Sequence, residues 1–173
     1  MVSVRKLVNN PVSIVGPHLA SGMTALDIGS GMGFFTIPMA QIVGASGRVV
    51  AVDLQPEMLA GLDRNARRAG CDNITLQQCD AQSLGLGQWD DAIDFALMFY
   101  MLHEVPDPRG TAEQVCAALK PGGRALLAEP IVHVSQADFR RSVGLMTRAG
   151  LAVVDRPRIP ISRAVVLQKR AAA

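Results

Sequence analysis

The sequence predicts an α/β fold in which a doubly wound, mostly parallel sheet ends in an antiparallel hairpin. Three observations support this prediction. Short apolar runs alternate with amphipathic stretches, most of the runs end in an acidic residue, a glycine or a turn, and the C-terminal part breaks this rhythm. Strands that alternate with helices form right-handed βαβ units, which place helices on both faces of a parallel sheet.

Five apolar runs are predicted to be buried parallel strands because they are short and several are rich in β-branched residues. The runs are "MTALDI" (23–28), "RVVAVD" (48–53), "NITLQQC" (73–79), "AIDFALMF" (92–99) and "RALLAE" (124–129).

Amphipathic stretches between these runs predict helices at roughly residues 33–43, 56–69, 109–120 and 135–149. Pro56 suits the first position of the second helix, where its missing N–H costs nothing, and Gly70 suits the position after its end. "LKPGG" and "RAG" are predicted to end the third and fourth helices. Ser135 and Asp138 resemble a capping box, which predicts the start of the fourth helix.

The C-terminal segments "LAVVDRPRIP" and "ISRAVVLQKR" are predicted to be the last two of seven strands. Too few residues separate them for a crossover helix, so we expect an antiparallel hairpin. A length of 173 residues suits one domain. We expect residues 1–21 to be a short N-terminal segment, 22–130 the core, and 131–173 the last helix and the hairpin.

Composition and charge argue against several classes of protein. A net charge of +2 and the lack of a basic stripe give no indication of a nucleic-acid partner. Cys71, Cys79 and Cys116 are odd in number and widely spaced, so neither a disulfide framework nor a metal site is predicted. The start "MVSVRKLVNN" lacks an export signal, and no apolar run reaches the about 18 residues of a membrane span. We therefore expect a cytoplasmic protein without a membrane partner.

The stretch "LDIGSGMGFF" (26–35) forms the predicted turn from the first strand to the first helix, where doubly wound sheets bind ligands. Gly29, Gly31 and Gly33 give G-x-G-x-G, whereas a dinucleotide-binding turn reads G-x-G-x-x-G. Phe34 takes the place of that third glycine, which is evidence against NAD.

Asp27, just before this loop, would repel a pyrophosphate and attract an ammonium or sulfonium group. The turn is therefore predicted to favour a cationic ligand. The alternative is that the glycines only permit a tight turn.

Acidic residues also end the next two predicted strands. Asp53 lies about twenty residues beyond the glycines, where a carboxylate can accept hydrogen bonds from both hydroxyls of a ribose. Because Pro56 places the helix N-cap at Gln55, Asp53 is expected to be free for this role. Asp80 follows the third strand and is expected to accept from an exocyclic amine such as that of adenine.

At this point the sequence resembles the class I S-adenosylmethionine-dependent methyltransferases, over about residues 22–130. The segments that carry the resemblance, in order, are "LDIGSGMGFFTIPMA", "VVAVDLQPEML", "NITLQQCDAQSL", "FALMFYMLHEV" and "LKPGGRALLAEP". The group with the most similar motifs methylates small molecules in ubiquinone and menaquinone biosynthesis. The resemblance implies a Rossmann-like fold and S-adenosyl-L-methionine as the cofactor.

The resemblance also implies a set of cofactor-binding residues. The glycine loop with Asp27 would hold the methionine part, Asp53 the ribose and the loop at Asp80 the adenine, while Phe99 would border the sulfonium. The full implied set is Asp27, Gly29, Ser30, Gly31, Gly33, Asp53, Leu54, Asp80, Ala81 and Phe99.

Methyl transfer from an activated sulfonium by in-line displacement mainly requires positioning, and a general base only if the acceptor must lose a proton. The candidate catalytic residues are His103, Glu104 and Tyr100, with Glu129 at the end of the fifth predicted strand. His103 could equally anchor its loop by hydrogen bonds. His18 and His133 could each face the same pocket, since both flank segments that cover the carboxyl edge of the sheet, but a structural role is expected for both.

A small-molecule methyl acceptor is the expected substrate. Where enzymes that methylate amino groups of bases often carry Asn or Asp followed by Pro-Pro and an aromatic residue, this chain has "FYML". The acceptor site is expected to be an open cleft lined by Met101, Leu102, Ile131 and Val132, or to be covered by a second subunit, as in a homodimer, or by a partner protein.

Two other functions stay open at this stage. One is a catalytically silent module or subunit that binds S-adenosylmethionine, and the other is a nucleotide-dependent oxidoreductase. An arsenic methyltransferase with three converging thiolates is not expected, because the three cysteines lie in separate parts of the predicted fold.

Overall fold

Strand β1 (Thr24–Ile28) is an interior strand of the sheet in the computed structural model, which describes residues 10–170. The other strands are β2 (Arg48–Asp53), β3 (Ile74–Gln78), β4 (Ile93–Phe99), β5 (Leu119–Pro130), β6 (Leu151–Asp155) and β7 (Ser162–Lys169). Their order is β3-β2-β1-β4-β5-β7-β6. Strands β1 to β5 are parallel, and β7 runs antiparallel to β5 and β6. The predicted fold class is confirmed; of the expected N-terminal segment 1–21, residues 1–9 lie outside the described part.

Four helices follow strands near the predicted places, and a short helix precedes β1. In chain order the five are α1 (Pro11–Val15), α2 (Thr36–Val43), α3 (Pro56–Arg68), α4 (Pro108–Ala118) and α5 (Gln136–Arg148). Gln55 is the N-cap of α3, and the Ser135 hydroxyl accepts a hydrogen bond from the Asp138 N–H at 3.2 Å, as the sequence predicts. Helix α1, with Asn10 as its N-cap, was not predicted because it is only 5 residues long.

Two predicted boundaries are wrong. Helix α2 begins at Thr36 rather than at residue 33, because residues 31–35 form turns. "LKPGG" does not follow the end of α4 as a separate helix stop: α4 ends at Ala118 and β5 begins at once, with an irregular register opposite β4. The Lys169 ammonium donates to the carbonyls of Ala117 and Leu119 at 3.2 and 2.7 Å, which satisfies backbone acceptors at this helix end.

The apolar core forms one cluster on each face of the sheet. Helices α4 and α5 contribute Val115 and Met146 to one cluster, whereas α1 and α2 contribute Val15 and Met39 to the other. The helices therefore cover both faces and leave the carboxyl ends of the parallel strands open at one edge. Within residues 10–170 the longest helices have 13 residues, and no helix is long and apolar enough to cross a membrane.

Gly33 packs the glycine turn against α3. Its φ is +95°, and a Cβ on Gly33 would lie 2.5 Å from Cδ1 of Leu62. The Gly33→Ala substitution combines backbone strain with a steric clash, so we expect it to lower the free energy of unfolding by about 2–4 kcal/mol.

Denaturant titration measures this effect. The matched control is Gly16→Ala, because Gly16 has an α-helical φ of −54° and a Cβ there would meet no atom within 4 Å. Equal stability of the two variants would contradict the packing role of Gly33.

Candidate functional site

A cavity of about 460 Å³ opens at the edge where the parallel strands end, a volume within the usual range of small-ligand sites. The sequence-predicted residues in its wall are Gly29, Gly31, Asp53, Leu54, Asp80, Ala81, Phe99, Tyr100, Met101 and Glu104. The charged side chains in the described wall are all acidic, namely Asp53, Asp80, Glu104 and Asp107. The cavity therefore favours a cationic ligand over a phosphate.

Asp53 links the end of β2 to the glycine loop. Its Oδ2 accepts a hydrogen bond from the Gly31 N–H at 2.8 Å, and its Oδ1 accepts from the Gln55 N–H at 3.0 Å. Asp53 is not the helix N-cap, as predicted, but its carboxylate makes two hydrogen bonds to backbone N–H groups that the sequence did not indicate. A carboxylate oxygen has two acceptor sites, so Asp53 can hold the loop and still accept from a ligand.

The glycine loop requires its glycines. Gly29 and Gly31 have φ values of +74° and +55°, which disfavour other residues. The N–H groups of Gly29 and Ser30 donate to the Val52 carbonyl at 2.9 and 3.1 Å, which ties the loop to β2. A Cβ on Gly31 would meet no atom within 4 Å, so this part of the loop is open to the cavity.

Asp27 lies behind this loop and outside the cavity wall. The side chain is 3% exposed, and the Thr36 hydroxyl donates to its Oδ2 at 2.6 Å. Burial raises the pKa of Asp27 to about 6, with a smaller upward contribution from the Asp53 charge, and the Thr36 hydrogen bond opposes the shift.

Ser30 and Gly33 also lie outside the wall. The Ser30 Oγ is buried and has no hydrogen-bond partner within residues 10–170. The cofactor-binding roles of Asp27, Ser30 and Gly33 stay predictions.

The loop after β3 is shaped by Asp80. Its Oδ1 accepts from the N–H groups of Gln82 and Ser83, each at 2.8 Å. The Gln114 side chain on α4 then accepts from the Ser83 hydroxyl and the Leu84 N–H at 3.1 and 2.9 Å. The loop that is predicted to bind adenine is thus held by its own Asp80 and by Gln114 on α4.

Aromatic side chains border the cavity at the end of β4. The Phe99 ring lies 4.5 Å from the Phe35 ring and 4.2 Å from the Tyr100 ring, measured between centroids. Tyr100 has a left-handed φ of +60°, and its hydroxyl lies 2.5 Å from the Ser162 Oγ on β7. This bond joins the end of β4 to the C-terminal hairpin.

His103 pairs with Glu129 beside the cavity rather than in its wall. The His103 Nδ1 lies 2.5 Å from Oε2 of Glu129, and the His103 N–H donates to Oε1 at 3.1 Å. The Glu129 side chain is fully buried, and burial raises its pKa although the hydrogen bond to His103 opposes the shift. The His133 ring lies parallel to that of His103, 6.3 Å away.

Two predicted neighbours of the site lie elsewhere. The His18 ring stacks on Phe95 at 5.4 Å and borders a separate cavity with Lys120 and Arg124, at the opposite edge of the sheet. Leu102 is 2% exposed and belongs to the core, so it does not line an open cleft. The expectation that Leu102 lines the cleft is therefore wrong, because it depends on side-chain orientation, whereas the contact of His18 with Phe95 agrees with the structural role expected for it.

Other wall residues were missed from the sequence. They include Gln55, Met58, Gln82 and Thr111. Gln55 and Met58 follow β2 closely, so their proximity to Asp53 was an available signal. Thr111 lies on α4, and nothing local in the sequence indicates that this helix borders the cavity.

The cysteines do not form a cluster in the described chain. Cys71 and Cys116 belong to the core clusters on opposite faces of the sheet, while Cys79 lies in the cavity wall. Within residues 10–170, no group of three or more His, Cys, Asp or Glu side chains is arranged to hold a metal ion.

The comparisons with known proteins consistently indicate a methyltransferase. Residues 19–148 match the family described as "Methyltransferase domain". The chain is 36% identical over 118 residues to the ubiquinone/menaquinone biosynthesis C-methyltransferase UbiE of Cellvibrio japonicus, covering 68% of this chain and 47% of that protein. It is 34% identical over 135 residues to an arsenite methyltransferase of Aquipseudomonas alcaligenes, covering 74% and 38%. The chain thus spans about half or less of the length of these relatives.

A solved structure supports the fold. A SAM-dependent methyltransferase from Aquifex aeolicus superimposes with a TM-score of 0.84 at 22% identity, covering 96% of this chain and 93% of that one. At this identity the similarity concerns the fold.

Asp27 predicts a specific pH dependence of stability. Because its folded pKa of about 6 exceeds the ordinary 3.8, the native state holds a proton that the unfolded state has lost, and stability falls as pH rises through this window. Asp27→Asn does not titrate, so from about pH 3.5 to about pH 7 its stability relative to wild type should increase by about 3 kcal/mol.

Denaturant titration across this pH range measures the difference. Asp63→Asn, on the exposed surface of α3, is the control for removing a surface carboxylate. A difference between wild type and Asp27→Asn that does not change with pH would contradict the burial argument.

Proposed function

Since this chain belongs to the class I S-adenosylmethionine-dependent methyltransferases, whose cofactor is S-adenosylmethionine, we propose that it transfers a methyl group to a small-molecule acceptor. One observation carries the proposal. The cavity at the carboxyl edge of the sheet brings the glycine loop, Asp53 and Asp80 together in a wall whose described charged groups are all acidic.

The residues at this edge fit the cofactor. Gly31 is open to the cavity, the Ser30 hydroxyl is buried without a partner within the described chain, and Asp53 retains acceptor capacity. The acidic wall suits a ligand that carries an ammonium and a sulfonium, and it disfavours the pyrophosphate of a dinucleotide. The electrostatics therefore argue against the oxidoreductase.

In this proposal each part of the cavity has a role. The glycine loop, supported by the negative charge of Asp27 behind it, holds the methionine part. Asp53 accepts from the ribose hydroxyls, and Asp80 with Ala81 holds the adenine. Phe99 and Tyr100 border the sulfonium. When bound, the cofactor supplies an electrophilic methyl group for in-line displacement, and the chain contributes mainly orientation.

The proposed acceptor is small and partly apolar. Met101 lines the cavity, and Ile131 and Val132, just beyond β5, are 46% and 76% exposed. The relatives named for ubiquinone/menaquinone biosynthesis and for arsenite also support a small-molecule acceptor. We further propose that a second copy of the chain covers these apolar residues; an active monomer in sedimentation would reject this homodimer.

Asp53→Ala tests cofactor binding. It removes the proposed ribose acceptor and the anchor of the glycine loop, so we expect calorimetry to show S-adenosylmethionine binding weakened by about 10- to 100-fold. Asp90→Ala, at an exposed position outside the wall, should bind like wild type. Tight binding of NAD by the wild type, with none of S-adenosylmethionine, would overturn the proposal.

Turnover separates an enzyme from a silent binding module. The protein is incubated with methyl-labelled S-adenosylmethionine and a metabolite extract of the host, and mass spectrometry identifies the labelled molecule. We expect one or a few low-molecular-weight products. Binding of the cofactor with no labelled product in any extract would favour the silent module.

A further inference from the structure

Buried acidic side chains are rare in this protein. Within residues 10–170 they are Asp27 and Glu129. Burying a carboxylate is costly unless hydrogen bonds compensate for the lost water, so each buried acid indicates a specific set of partners. Asp27 lies behind the glycine loop, whereas Glu129 is the penultimate residue of β5 and is hydrogen-bonded to His103 in the segment after β4.

We propose that Glu129 is a positioning residue that keeps the ring proton of His103 on Nδ1 and leaves Nε2 as the proton acceptor of the reaction. This inference rests on the proposed function and extends it. It assigns the acid–base work to His103 and implies that the methyl acceptor is a molecule that must lose a proton when it is methylated.

The tautomer of His103 follows from its hydrogen bonds when the Glu129 carboxylate is ionised. The His103 N–H donates to Oε1 of Glu129 at 3.1 Å, so Oε2 is the oxygen left for the ring, 2.5 Å from Nδ1. An ionised carboxylate only accepts hydrogen bonds, and Nδ1 must therefore carry the proton. A neutral imidazole then has a bare lone pair on Nε2.

The position of Nε2 suits a base beside the cavity. It lies 3.7 Å from Oε1 of Glu104, a residue of the cavity wall. The His103 side chain is 24% exposed, so a ligand can reach the ring. The pair thus has a buried end at Glu129 and an accessible end at Nε2.

The other charged or titratable groups around the pair come from neighbouring segments. His133 lies parallel to the His103 ring, and Arg163 is the β7 residue paired with Glu129 in the sheet. The Arg163 guanidinium donates to the Val134 carbonyl at 2.9 Å. Within residues 10–170, His103 is therefore the side chain that is hydrogen-bonded to the buried carboxylate.

In the proposed reaction one bond to the methyl carbon forms, one bond breaks, and one proton is transferred. The acceptor atom forms a bond to the methyl carbon while the carbon–sulfur electron pair stays on sulfur, which becomes a neutral thioether. The acceptor's proton moves to Nε2 of His103. The resulting imidazolium is stabilised by the Glu129 carboxylate on its other side. Acceptors with an ionisable O–H, N–H, S–H or acidic C–H group meet this requirement.

Glu129→Gln tests the positioning role with little change in shape. Because the backbone N–H of His103 keeps a carbonyl oxygen at the Oε1 position, the amide NH₂ takes the place of Oε2 and faces Nδ1. Nδ1 must then accept, and the ring proton moves to Nε2. We therefore expect the variant to keep the fold and the imidazole, but its Nε2 carries a proton and has no lone pair with which to accept one.

The primary measurement is the ¹⁵N NMR spectrum of the imidazoles, which reports the tautomer without any acceptor; the chain has 3 histidines to assign. We expect the Nδ1–H form in the wild type and the Nε2–H form in Glu129→Gln. Glu113→Gln, an exposed substitution on α4, is the matched control and should keep the wild-type tautomer.

Methyl-labelling of the metabolite extract should fall about 100-fold or more in Glu129→Gln, with S-adenosylmethionine affinity within about two-fold of wild type.

Several outcomes overturn the inference. These are an Nε2–H tautomer in the wild type, the same tautomer in wild type and Glu129→Gln, or full methyl transfer by the variant. If Glu129→Gln does not fold, the wild-type spectrum decides the tautomer by itself.

Failure of the proposed function gives a different pattern. The tautomer then switches as expected while the wild type labels no molecule, and this result rejects the base role together with methyl transfer.

Discussion

The parallel pairing of β1 with both β2 and β4 is the constraint on which the rest of the site depends. Ile28 lies opposite Val52 on one side and Met98 on the other, so three strands end at nearly the same height. After these strands the chain continues into helices that lie on opposite faces of the sheet, so the connecting loops diverge at the strand ends. The cavity is the space between those loops, which places residues distant in sequence in one wall.

Carboxylates at this edge organise the backbone as well as facing the ligand site. Asp53 holds the glycine loop, Asp80 holds its own loop, and Glu129 holds the segment that carries His103. A carboxylate that accepts backbone N–H groups is fixed in orientation before a ligand arrives. The same hydrogen bonds therefore stabilise the loops and preorganise the negative charge that the proposed chemistry requires.

The segment after β4 contributes residues both to the cavity wall and to the His103–Glu129 pair, because of its backbone conformation. Tyr100 adopts a left-handed φ, and the short helix Leu102–Glu104 follows. As a result Tyr100 and Glu104 line the cavity, whereas His103 contacts Glu129 beside it. A left-handed conformation in a bulky residue is unfavourable, and the bond of the Tyr100 hydroxyl to Ser162 helps to hold it.

The sequence by itself determined the features that depend on local rules: the order of strands and helices, the cap at Gln55, and the glycine loop followed by acidic strand ends. Most of the cavity wall follows from those rules, since parallel strands end at one edge. Tertiary structure decided the features that depend on orientation. It buried Leu102, placed His18 at the opposite edge, and joined His103 to Glu129 across 26 residues. Periodicity and spacing indicate which residues lie near an edge, but the direction of each side chain depends on packing between elements that are distant in sequence.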